Sequence, residues 1–173
     1  MPITIGIGGA ESGAGKTAFG EYLLRRLTGW GAIKSTKTGL YTSVIEDEKA
    51  LLQEGKDTAR YLRAGAEKVL WVQGPGGEEL KEALLLAMGK LAHLPGIIIE
   101  GNSAIELLKP DIVIFISAKH FKNNASRVLR MAHAVFGEGP EKGEGGRPRF
   151  GGLKECAEYV LGLVDERRDK KTP

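Results

Sequence analysis

Residues 3–17 read Ile-Thr-Ile-Gly-Ile-Gly-Gly-Ala-Glu-Ser-Gly-Ala-Gly-Lys-Thr, an apolar alternation that runs into a glycine-rich turn. No other stretch narrows the possible folds so far. Its core, Ala10-x-x-x-x-Gly15-Lys16-Thr17, has P-loop spacing, with alanine in place of the usual first glycine. In such a turn successive backbone N–H groups converge on an anion, joined by those that open the following helix. Gly13 and Gly15 let the chain approach phosphate oxygens and take dihedrals that a Cβ would forbid. Ser12, Gly13, Ala14, Gly15, Lys16, Thr17 and Ala18 therefore form the candidate nucleotide cradle. Lys16 is placed to reach the β/γ-phosphates, and the Thr17 hydroxyl to ligate Mg²⁺. The expected ligand is a nucleoside triphosphate.

Downstream, strand-like and helix-like segments alternate, which predicts an α/β fold of three layers, a mostly parallel sheet flanked by helices. Strands are expected at Ile3–Ile7, Gly31–Lys34, Val69–Gln73, Ile97–Glu100 and Asp111–Ser117, the last apolar throughout its centre, as a strand buried on both faces is. Helices are expected over Lys16–Leu27, 46–53, Thr58–Ala64, the segment after Gly77, 124–136 and Lys154–Arg168. Residues 1–173 are read as a single nucleotide-binding domain with a glycine-rich loop at 137–152. A loop that long is either functional or a mobile solvated segment. Arg147 and Arg149 would serve a lid over the base or a partner-binding surface if it is functional.

A net charge of +3, with the basic residues scattered apart from a terminal Arg167-Arg168-Asp169-Lys170-Lys171 cluster read as a solvated helix end, argues against nucleic acid as a partner. Cys156 is the only cysteine, which excludes a disulfide framework, and it falls among apolar helix positions as a buried thiol. No apolar run is long enough to cross a bilayer and no leader pattern is visible, so a cytoplasmic location is expected.

Ligands of open α/β sheets lie beyond the carboxyl ends of the strands. Glu100 ends one strand beside Gly101, as a carboxylate that organises Mg²⁺ would, or else is a surface glutamate. Lys34 ends another and would meet the γ-phosphate or a substrate carboxylate, or else is solvated. Asp57 starts a helix, either as its N-cap or as a second carboxylate for Mg²⁺ or water. Gly74–Gly77 is read as a plain turn, since Glu78 and Glu79 would repel an anion there. Lys119 and His120 follow the fifth strand, where a base is often held. Catalytic candidates are thus Lys16, Asp57 and Lys34, and metal candidates Thr17, Asp57 and Glu100.

Together the P-loop, Gly31-Ala-Ile-Lys34, Gly55-Lys-Asp-x-x-Arg-x-x-x-Ala-Gly-Ala66 and Ile97-Ile-Ile-Glu-Gly101 resemble the molybdopterin-guanine dinucleotide biosynthesis protein B (MobB) family over roughly residues 3–117. The third segment discriminates best, because no general feature of P-loop folds requires it. The resemblance implies GTP binding with weak hydrolysis, a homodimer, and assistance to the enzyme that attaches GMP to molybdopterin. Three departures stand out. Ser35-Thr-Lys-Thr-Gly39 replaces the family's histidine-rich stretch, Arg60-Tyr61 replaces an arginine-histidine pair, and Ala10 a glycine. Lys34-x-x-x-x-Gly39 with Asp57 and Glu100-Gly101 is also similar to dethiobiotin synthetase, an ATP-dependent ligase. That second likeness implies ATP and a substrate-binding lysine.

Overall fold

The computed structural model describes residues 1–118, 125–138 and 146–171. Among the described residues eight strands form one sheet, taken in chain order as β1 (Ile3–Gly9), β2 (Gly31–Lys37), β3 (Ser43–Ile45), β4 (Val69–Gly74), β5 (Gly96–Glu100), β6 (Ile112–Ile116), β7 (Ala134–Phe136) and β8 (Arg149–Phe150). Their spatial order is β3-β4-β2-β5-β1-β6-β7-β8. Only β3 runs antiparallel to its neighbour. The helices are α1 (Lys16–Leu24), α2 (Glu48–Leu51), α3 (Asp57–Arg63), α4 (Gly77–Lys90), α5 (Asn102–Leu108), α6 (Ala125–Met131) and α7 (Leu153–Lys171).

Strand alternation divides the core into two layers of side chains. Ile5, Ile7, Ile98, Ile114 and Ile116 pack on one face with Phe19 and Leu23 of α1, Tyr61 of α3 and Val160 of α7. Ile97 and Ile99 face the other way, onto Leu80, Leu84 and Ala104 of α4 and α5. Val113 and Phe115 meet Ile105 and Val128 there. The expected three-layer α/β architecture is what forms. The same parity carries polar consequences. Glu100 lies two residues beyond Ile98, and Lys34 two beyond Ala32, so both side chains emerge on the α1/α3 face.

Several boundaries differ from the sequence expectation. The helix expected over 124–136 ends at Met131, and Ala134–Phe136 pairs with β6 as β7. Over three residues a helical and an alternating pattern are indistinguishable, and the open β6 edge decides the matter. Strand β2 continues to Lys37 because β4 offers partners as far as Gly74. The polar stretch before Val44 contributes β3, and α5 and β8 were not anticipated. Cys156 is buried as expected, and burial raises its thiol to about 12. Lys119 and His120 lie outside the described residues, as does 139–145 of the glycine-rich loop. In the rest of that loop both arginines bond to backbone carbonyls. Arg147 donates to Ala132 and Arg130, and Arg149 to Glu138, which ties β8 to the chain around β7.

Candidate functional site

Strands β1, β2 and β5 end side by side, and their carboxyl ends open into a cleft of about 650 Å³. One wall is the turn from β1 into α1. Gly13 and Gly15 adopt φ of 79° and 96°, the left-handed region expected of them. Gly15 serves as the N-cap of α1 without a side-chain cap, and no acidic residue stands in the first turn. The opening amides of α1 therefore depend on a partner other than a side-chain cap. Lys16 lays its stem over Gly9 and donates from Nζ to the Glu11 carbonyl at 2.7 Å. Asn102, which opens α5, braces the same turn. Its Oδ1 accepts from Gly9 N and its Nδ2 donates to Gly9 O, both at 2.9 Å.

The opposite wall is charged and partly buried. Glu100 is only 1% exposed, yet every carboxylate oxygen is engaged. Oε2 accepts from Thr17 Oγ1 at 3.1 Å and from the Tyr61 hydroxyl at 2.5 Å. Oε1 accepts from Lys34 Nζ at 2.6 Å, and the same ammonium donates to Asp57 Oδ2 at 2.5 Å. Arg60 stands beside Asp57 and pairs with Glu21 of α1, closing a bridge between α3 and α1. Asp57 is the first residue of α3, not its N-cap. Lys56 holds that place, and the Asp57 carboxylate faces Lys34 instead.

The protonation states follow from this packing. Burial works against the Lys34 ammonium, but Glu100 and Asp57 outweigh it and hold its pKa above the ordinary lysine value. Burial likewise pulls Asp57 upward, and the bond from Lys34 and its charge, with the nearby Thr17 hydroxyl and the charge of Arg60, bring it below the usual carboxylate value. Burial, and then the neighbouring Glu100 charge, push Tyr61 well above its ordinary value. Tyr61 is accordingly the donor in its bond to Glu100.

Lys16, Thr17, Lys34, Asp57 and Glu100 thus all line one cleft, together with Ser12, Gly13, Gly15 and Ala18. Ala14 sits in the same turn, partly packed against the core. Thr17, Asp57 and Glu100 offer hard oxygen donors, and Lys34 Nζ marks where positive charge settles among the two carboxylates. Among the described residues no group of three His, Cys, Asp or Glu side chains forms a metal cage. That donor set fits Mg²⁺, which is commonly held by one or two carboxylates together with phosphates and water.

Sequence reasoning missed Tyr61 and Asn102 as parts of this site. Tyr61 had a signal in Gly20, a glycine inside α1, where a Cβ would come within 2.7 Å of the tyrosine ring and hydroxyl. Asn102 had none beyond its place after Gly101.

Solved structures share this fold. A MobB protein homolog from Bacillus stearothermophilus superposes with a TM-score of 0.51 at 18% identity, over 96% of this chain and 98% of that one. LpxK from Aquifex aeolicus, in complex with ATP, superposes with a TM-score of 0.51 at 22% identity, over 86% of this chain and 53% of that one. The chain matches no protein-family model and no curated protein sequence. At these identities the likeness establishes the fold alone, a three-layer α/β arrangement around a mostly parallel sheet.

Proposed function

We propose that the cleft binds the polyphosphate of a nucleoside triphosphate with Mg²⁺, and that hydrolysis there is slow. The observation that carries this reading is a single cleft lined both by the opening of α1, with Lys16 and Thr17, and by the carboxylates of Asp57 and Glu100. The α1 amides and Lys16 would hold the β- and γ-phosphates. Thr17, Glu100 and Asp57 would hold the metal. Mg²⁺ bound there would neutralise charge building on the phosphate oxygens. Among the described lining residues no glutamine is present to orient a water, and Arg60 is committed to Glu21 and Asp57. Both features support slow turnover.

The sequence resemblance to the MobB family implies GTP as the nucleotide, and a MobB protein homolog shares the fold over nearly its whole length. With it come a homodimer and a role as accessory to the GMP-attaching enzyme of molybdopterin guanine dinucleotide synthesis. A second reading, an ATP-dependent ligase or kinase acting on a small molecule, draws on the likeness to LpxK with ATP. It needs Lys34 for an acceptor, and in this structure that ammonium is paired with Asp57 and Glu100.

Thermal-shift titration of ATP and GTP, each with Mg²⁺ and with EDTA, tests both. A ligand at 100 times its Kd adds about 2.7 kcal/mol of stability. Lys16→Ala should weaken nucleotide binding by on the order of 100-fold, about 2.7 kcal/mol, while leaving the ligand-free melting temperature unchanged. Equal affinity in the variant, or no shift from either nucleotide, overturns the proposal. Preference for ATP with no response to GTP selects the second reading.

A further inference from the structure

The pairing of Lys34 with Asp57 and Glu100 has an asymmetry that a merely structural ion pair would not need. Glu100 Oε2 is held by two neutral hydroxyls, Thr17 and Tyr61, each fixed on a helix. The facing oxygens, Glu100 Oε1 and Asp57 Oδ2, both accept from one ammonium, Lys34 Nζ. These two oxygens come from different elements, β5 and α3, and converge on one positive charge. Lysine brings that charge as a compact ammonium on a flexible four-carbon stem, whereas arginine would lock both carboxylates with a planar fork. Take the ammonium away, and two anionic oxygens remain beside the Thr17 hydroxyl. That is a donor set for a divalent cation.

We infer that Lys34 is a tethered counter-ion, which holds the cation position between Asp57 and Glu100 until a nucleotide brings Mg²⁺ to displace it. This rests on the proposed Mg²⁺-nucleotide reading and adds an order of events. Before nucleotide arrives, the ammonium cancels one of the two negative charges and occupies the shared oxygens, so the carboxylate pair takes up divalent metal poorly. Phosphate oxygens supply the further ligands and charge that tip the exchange toward the metal. The freed ammonium, still on β2 at the rim of the cleft, then faces the bound polyphosphate. Tyr61 keeps Glu100 in position through the exchange, since its bond is to the other oxygen.

Manganese uptake by the nucleotide-free protein tests this without any activity measurement. Electron paramagnetic resonance of free Mn²⁺ should show weak binding to the wild-type chain and to Lys34→Arg. Lys34→Met should bind Mn²⁺ at least tenfold more tightly, and adding Glu100→Gln to it should remove the gain. Equal Mn²⁺ affinity in wild type and Lys34→Met, or a gain that survives Glu100→Gln, overturns the inference. Should Lys34→Met fail to fold, the wild-type protein decides by ¹H–¹⁵N spectra of its lysine ammonium groups. The Lys34 resonance should move on adding nucleotide with Mg²⁺ and stay in place with nucleotide and EDTA. A resonance indifferent to Mg²⁺-nucleotide counts against displacement. A wild-type chain that binds no nucleotide at all defeats the functional reading instead, and the Mn²⁺ comparison still stands as measured.

Discussion

Two strand pairs on either side of β1 end in the same backbone device and carry opposite chemistry. In β2 and β5, Lys34 lies opposite Glu100, and each is followed by a small residue, Ser35 and Gly101. In β6 and β7, Ile116 lies opposite Phe136, followed by Ser117 and Gly137. Gly101 has φ of 135° and Gly137 of 122°, and a Cβ on either would press a serine carbonyl oxygen, at 3.0 and 3.1 Å. Helix α1 covers both pairs. Its Thr17 bonds to Glu100, and two residues later Phe19 stacks with Phe136 at 5.7 Å between ring centroids. The strand-end geometry is therefore a matter of how closely the chain leaves the sheet. Whether the end becomes a site depends on the side chain just before the glycine.

The largest test of this contrast replaces those side chains. Glu100→Ala leaves the Tyr61 hydroxyl buried without its acceptor and Lys34 with a single carboxylate, and should cost about 3–5 kcal/mol. Phe136→Ala removes a half-buried ring and should cost less, about 2 kcal/mol, below the range for fully buried phenylalanines. Urea unfolding of both variants measures the difference. A Glu100→Ala loss no greater than that of Phe136→Ala would break the contrast, since the carboxylate would then contribute no more than ordinary packing.

The glycines should behave alike where the side chains do not. Gly101→Ala and Gly137→Ala each force a Cβ into left-handed backbone against a carbonyl, at about 1–3 kcal/mol. Similar losses in urea support one shared device, and a loss confined to Gly101→Ala would show that only the charged end is under constraint.

The smallest effect is the response to acid. The folded pKa of Asp57 lies below its ordinary 3.8, so its contribution is complete above that value and fades as pH falls through the folded value. The stability advantage of the wild type over Asp57→Asn should hold at neutral pH and shrink below about pH 4. Phe136→Ala should show no such dependence relative to wild type. A gap between wild type and Asp57→Asn that stays constant down to pH 2 would mean that Asp57 is not held ionised by Lys34.

Much of the site was legible because strand alternation and the P-loop spacing are local properties. Ile98 and Glu100 share a parity, and so do Ala32 and Lys34, which is enough to bring both charged ends to the face of α1. The existence of β7 was not legible. Ala134-Val135-Phe136 continues the apolar pattern of a helix, and its assignment as a strand depends on the exposed edge of β6. Asp57 shows the same limit. Its place at the start of α3 follows from the sequence, but whether it caps the helix or turns to Lys34 depends on where β2 ends.

By itself, then, the chain determined a phosphate-type turn at its amino end, a mostly parallel sheet, and acidic and basic residues at strand ends. Those follow from spacing, alternation and the conformational freedom of Gly13 and Gly15. Only the tertiary structure decided that Lys34 belongs to Asp57 and Glu100, and that Tyr61 secures the far oxygen of Glu100. Partners separated by 23, 66 and 39 residues meet only after the sheet and its helices have packed. No local rule sets the distance between two such side chains.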